Sequence, residues 1–120
     1  MHLYVMNGHE EGRWVAFEGD AVLVGRSESA GSAERDGERN GVVFAHDREL
    51  SGTHARFVRD GGTWQIENLG RSGTFVNEAS VSQLCGVVSG DVIRMGRTLL
   101  LVCETEHVIP AMRVATATFA

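Results

Sequence analysis

The sequence predicts an all-β protein, an antiparallel β-sandwich of about 10–11 short strands. Three observations carry that expectation. Fifteen glycines and a single proline punctuate 120 residues. Short apolar runs, several of them alternating, lie between turn signals, as strands of a half-buried sheet require. No stretch keeps a helical period over three turns.

Taken in order, "LYVM" (3–6) is followed by the polar "NGHEEG" and then "RWVAFEG" (13–19). That reads as a hairpin, since Asn-Gly tolerates the positive φ angles of tight turns. "AVLVG" (21–25) is a continuous apolar strand. Residues 27–41, "SESAGSAERDGERNG", are small, charged and unpatterned, and predict a long exposed loop. "VVF" (42–44) is a brief strand, and "THARFVRD" (53–60) alternates up to the turn "DGG". "TWQIENL" (63–69) alternates too, with Trp64 and Ile66 on one face. "GTFVN" (73–77) and "ASV" (79–81) predict a short ribbon, and "DVIRMG" and "RTLLLVC" (91–103) a closing hairpin around Gly96-Arg97. Residues 1–103 therefore read as one domain. Residues 104–120 read as a C-terminal tail, or as a linker to a further domain.

Composition narrows the function. Apolar content of 42% with 22% charged residues suits a soluble domain. No apolar run approaches the roughly 20 residues that cross a bilayer, and the start lacks the pattern of a secretion signal. These features predict a cytoplasmic protein with no membrane partner. A net charge of −5 argues against non-specific nucleic-acid binding. All 11 basic residues are arginine, whose planar fork suits phosphate and carboxylate. Cys85 and Cys103 lack metal spacing, and the five histidines are scattered, so neither metal nor cofactor is expected.

Ser51 and His54, in "LSGTHARF", invite a catalytic reading. On an extended strand, residues three apart point to opposite faces, so they meet only if Ser51 lies in the preceding turn. There His54 would hold a loop by hydrogen bonds. With no G-x-S-x-G elbow and no partner acid, no enzymatic activity is expected. "GRSGTF" lacks the lysine of a Walker motif. What remains is an anion site built by loops. Arg26 follows a strand end, Ser51 offers a hydroxyl, and Arg71 and Ser72 precede Gly73, where backbone can approach a ligand closely. Two guanidinium groups, two hydroxyls and turn amides suit a phosphate ester.

These residues resemble those of a forkhead-associated (FHA) domain. The matching residues are Gly25-Arg26, Ser51 with His54, and the run from Asn68 through Gly73-Thr74-Phe75-Val76-Asn77. "SGDVIRMG" with the apolar strand after it matches the family's closing hairpin, and the resemblance extends over about residues 1–103. The resemblance implies an FHA/SMAD-like sandwich that recognises phosphothreonine in partner proteins, with the threonine methyl in a small pocket. It implies that Arg26 binds the phosphate and Ser51 hydrogen-bonds a phosphate oxygen. Arg71 would contact phosphate or peptide, and Ser72 and Gly73 the flanking peptide. Gly25, His54, Thr74 and Asn77 would support the binding loops, with Asn77 securing a turn. The implied partner is a threonine-phosphorylated protein or peptide, the product of a Ser/Thr kinase. The module would serve a larger, bacterial-type signalling or regulatory protein, and Thr105, Thr116 and Thr118 are candidate phosphorylation sites near it. The sequence departs from the family in four places. Gly52 stands where arginine is common and offers only backbone, the 68–73 loop is one residue short, Glu78 replaces a glycine, and the 27–41 loop is long. The first two departures favour a second expectation, an FHA-like scaffold that binds unphosphorylated surfaces or itself.

Overall fold

The computed structural model describes residues 1–17, 19–27 and 41–113. Most of the predicted 27–41 loop, and Thr116 and Thr118, lie outside the described residues.

Two sheets face each other. One runs β2 (Trp14–Ala16), β1 (His2–Val5), β11 (Thr98–Cys103), β10 (Val92–Met95), β7 (Thr74–Val76) and β8 (Ala79–Ser80). The other runs β4 (Val42–Val43), β3 (Ala21–Gly25), β5 (Ala55–Asp60), β6 (Thr63–Asn68) and β9 (Cys85–Val87). The alternating apolar positions point inward, as the pleat dictates. Leu3, Val5, Ile93, Met95 and Leu100 of the first sheet share a buried cluster with Val24, Ala55, Phe57 and Ile66 of the second. Burying a side chain the size of Phe57 contributes about 1.5–3 kcal/mol, so this layer dominates the stability.

Three details differ from the sequence reading. The β3–β4 pairing is parallel, through Val24↔Val42 and Gly25↔Val43. Strand β9 carries an eleventh segment that periodicity did not single out, because it is three residues long and contains Gly86. Asn7 makes no tight turn. Only Gly8 of that pair has positive φ, 77°, and the Asn7 carboxamide reaches across to the closing hairpin. It accepts from Leu99 N–H at 2.8 Å and donates to Arg97 C=O at 2.9 Å.

Past β11 the chain turns back over the outer face of the first sheet. The His107 ring meets Trp14 edge-on at 5.4 Å, and Trp14 packs on Tyr4 at 5.0 Å. Arg113 N–H then donates to Gly90 C=O at 2.7 Å. Burial pushes the Cys103 thiol above its ordinary range, and both cysteines are free thiols. Among the described residues no helix is long and apolar enough to cross a membrane.

The turn between β7 and β8 holds two non-glycine residues in the left-handed region, Asn77 at φ 50° and Glu78 at φ 68°. Two residues between the paired Val76 and Ala79 make this a tight hairpin, which needs positive φ at both positions. Asn77 is locked there. Its N–H donates to Val92 C=O, its side-chain oxygen accepts from Val92 N–H, and its amide nitrogen donates to Asp91. Glu78 is held by a two-pronged bond from Arg94, at 3.1 and 3.0 Å, and that guanidinium lies 4.1 Å over the Phe75 ring. The Arg94 hydrogen bond keeps the Glu78 carboxyl below its usual range. The stability this pair adds is present above the unfolded carboxylate range and is lost as pH falls through the folded value. An exposed pair contributes about 0.2–1 kcal/mol, whereas a non-glycine residue in this backbone region costs about 1 kcal/mol or more. Glu78→Gly is therefore expected to raise stability by roughly 0.5 kcal/mol near pH 7 and by about 1 kcal/mol near pH 3, read from urea unfolding at the two pH values.

Candidate functional site

Three loops meet at one end of the sandwich: the one leaving β3 at Gly25, the β4–β5 loop and the β6–β7 loop. Backbone bonds dock them together. Arg26 N–H donates to Ser51 C=O at 3.2 Å, His54 N–H to Val24 C=O at 2.8 Å, and Leu69 N–H to His54 C=O at 2.8 Å. Side chains add two more links. Ser51 Oγ accepts from Arg71 N–H at 3.0 Å, and the Ser72 hydroxyl donates to Glu49 C=O at 3.0 Å.

His54 sits beneath all of this, fully buried. Its Nδ1 lies 3.0 Å from Ser51 N–H and its Nε2 lies 2.8 Å from Gly73 C=O. An amide N–H can only donate and a carbonyl can only accept, so Nδ1 carries the lone pair and Nε2 the hydrogen. The ring is thus neutral and in one tautomer. Both nitrogens are occupied by backbone groups, and neither faces Ser51 Oγ. The pair cannot act as nucleophile and base as arranged; His54 is a brace.

Gly70, in the loop after β6, and Asn68, the last residue of that strand, take roles around this brace that the sequence reading did not assign. A Cβ on Gly70 would lie 2.3 Å from His54 Nδ1 and 2.6 Å from Cγ, so the imidazole packs directly on the glycine backbone. Asn68 shapes the same loop. Its oxygen accepts from Gly70 N–H at 3.1 Å and from the buried Thr74 hydroxyl at 2.8 Å, while its amide donates to Gly70 C=O. The β4–β5 loop has its own anchor in Asp47, a buried carboxylate. Asp47 accepts from Glu49 N–H at 3.0 Å, from Arg97 N–H at 2.8 Å and from the Thr98 hydroxyl at 2.6 Å.

Above the brace lies a concave opening of about 530 Å³. Of the residues singled out from the sequence, Arg26, Ser51, Gly52, Arg71 and Ser72 line it. Gly73 lies behind, its carbonyl turned to His54. Thr74 is buried in β7, and Asn77 is at the far end of that strand, holding β10. Arg48, Glu49 and Leu50 complete the lining. Arg48 was not singled out, although it stands three residues before Ser51. The Arg26 Nη1 donates to Arg48 C=O at 3.3 Å, so the two arginines are neighbours. Glu49 is paired with Arg97 at 3.0 Å. Among the described residues no carboxylate lies within ion-pair distance of the Arg26, Arg48 or Arg71 guanidinium. No group of three His, Cys, Asp or Glu among them is placed to hold a metal ion. The arrangement offers cationic forks and a hydroxyl to an anion.

Known proteins place this architecture. The FHA domain family model matches residues 22–96. The FHA domain-containing protein FhaB of Mycobacterium tuberculosis is 27% identical over 100 residues, covering 82% of this chain and 57% of that protein. The chain thus spans a little over half of that relative's length. A solved structure from an analysis of phosphothreonine-dependent FHA domain interactions has a TM-score of 0.68 and 26% identity, covering 87% of this chain and 95% of that one. The FHA domain of FhaA, crystallised with the intracellular domain of another protein, has a TM-score of 0.65 and 26% identity, covering 83% and 96%.

Because the His54 ring is enclosed and held at both nitrogens, it cannot swing aside for a methyl group. Gly70→Ala is expected to lower stability by about 1–3 kcal/mol and to broaden or shift the amide resonances of Ser51 and Gly73. Unchanged resonances at those two positions would show that the ring is not the keystone of the loops.

Proposed function

The chain belongs to the forkhead-associated (FHA) domain family, and on that premise we propose that it binds threonine-phosphorylated segments of partner proteins at the three-loop opening. The observation that carries this reading is that Arg26, Ser51, Arg71 and Ser72 all border one concave surface. The solved relative from work on phosphothreonine-dependent interactions supports it, as does the FhaA domain seen in complex with a protein partner.

In this reading Arg26 supplies the charge-assisted fork to the phosphate. The Ser51 oxygen already accepts from Arg71 N–H, which aims its own hydrogen outward as a donor to a phosphate oxygen. The Ser72 proton is committed to Glu49 C=O, so Ser72 stiffens the loop and offers lone pairs to a peptide N–H. Arg71 adds positive charge at the loop tip. Gly52 contributes only backbone to the opening. The module works by binding, with no chemical step, and a Ser/Thr kinase supplies its ligand. A place within a bacterial-type signalling or regulatory protein fits the mycobacterial FhaB relative, whose length exceeds the matched region.

Loss of one charge-assisted phosphate contact costs about 1.5–3 kcal/mol, roughly a ten- to hundred-fold in affinity. Arg26→Ala is therefore expected to weaken phosphothreonine-peptide binding by that factor in titration calorimetry, with an unaltered circular dichroism spectrum. Equal affinity of the wild type for a peptide and its unphosphorylated form would overturn the reading and favour the scaffold that ignores phosphate.

A further inference from the structure

The opening holds more positive charge than one phosphate calls for. The chain as a whole carries −5, yet Arg26, Arg48 and Arg71 line a single concavity with one acid, Glu49. That acid is drawn off by Arg97 at 3.0 Å. A phosphothreonine brings a charge of about −1.5 to −2, so among the described residues three guanidinium groups stand against at most two units of phosphate charge.

Geometry sets one of the three apart. Arg26 directly follows β3, and Arg71 is tied to Ser51 Oγ through its own N–H, so both border the phosphate-binding hydroxyl. Arg48 is attached differently. Its backbone carbonyl supports the Arg26 guanidinium, and its side chain leaves the same loop three residues away from Ser51. An extended peptide advances about 3.3 Å per residue, so an anionic group one or two residues from the phosphothreonine falls within the span of an arginine side chain.

We propose that Arg48 is a specificity-determining residue that reads a second anionic group, carboxylate or phosphate, on the residues flanking the phosphothreonine. The proposal rests on the phosphothreonine reading above and deepens it. The preferred ligand is then an acidic or doubly phosphorylated segment. Rim cations of this kind act on encounter rate and selectivity, and their effect fades with salt.

The test uses a phosphothreonine peptide with neutral flanks, the same peptide with aspartate at each of the two positions on either side, and a set with a second phosphothreonine there. Titration calorimetry at low and moderate salt gives the affinity ratio of each anionic peptide to the neutral one. At least one position is expected to bind roughly three- to ten-fold tighter in the wild type at low salt, through aspartate, phosphate or both. Arg48→Ala, which keeps the carbonyl that Arg26 uses, is expected to bring that ratio close to one. Arg48→Glu is expected to invert it in favour of lysine-flanked peptide, with a thermal melt confirming the fold. A ratio near one in the wild type overturns the proposal. So does a ratio that survives Arg48→Ala, or an Arg48→Ala loss that is equal for all peptides, because Arg48 would then serve the first phosphate. Binding of the neutral phosphopeptide in these cases leaves the phosphothreonine reading standing, whereas binding of none of the peptides overturns that reading and this proposal with it.

Discussion

One uncharged imidazole sets the shape of the binding end. His54 has to present an acceptor to Ser51 N–H and a donor to Gly73 C=O, and only the neutral ring with hydrogen on Nε2 does both. The requirement fixes the distance between two loops that approach from different sides. It also explains the composition around it. Gly70 is bare because the ring lies on its Cα, and Ser51 stands in a turn because its amide, rather than its hydroxyl, must face inward. The hydroxyl is thereby left on the outer surface, where a ligand would meet it. A buried polar group is costly when half satisfied, so this ring rewards one loop arrangement and penalises its neighbours.

Charge is distributed with the same economy. An acidic chain brings three arginines to one opening, where the one acid among the described lining residues, Glu49, is paired with a fourth, Arg97. Elsewhere the arginines are spent locally, on Asp20 by Arg59 and on Glu78 by Arg94. Arg26 and Arg48 also show how backbone and side chain share this work, since the carbonyl of one supports the guanidinium of the other.

Much of this was legible in the sequence, and what was not had causes that only the fold exposes. Strands were readable because their apolar alternation is a local property, as in "TWQIEN" and "ARFVRD". The Ser51–His54 pair was interpretable because the direction of side chains on a strand excludes a face-to-face arrangement. Gly70 and Asp47 escaped notice because their meaning lies in contacts with residues far along the chain. A glycine pressed against an imidazole 16 positions earlier looks like any other turn glycine. An aspartate whose partners are Arg97 and Thr98 looks like a solvated loop charge. Arg48 escaped for a different reason: its weight comes from the company of Arg26 and Arg71, which only the fold assembles. Asn7 misled because Asn-Gly has two uses, and here the side chain bridges strands instead of bending the chain.

Asp47 carries one further implication. Its partners at Arg97 and Thr98 are separated from it by some fifty positions, so the segment that presents Arg48 and Ser51 takes its shape only once the last hairpin is in place. During synthesis on the ribosome, Arg26, Arg48 and Ser51 would emerge well before the hairpin that anchors the β4–β5 loop through Asp47. Long-range closure of this kind slows folding relative to local pairing. It also ties the shape of the opening to completion of the fold: a truncated or nicked copy lacking the final strand would lose the anchor of this loop together with its core.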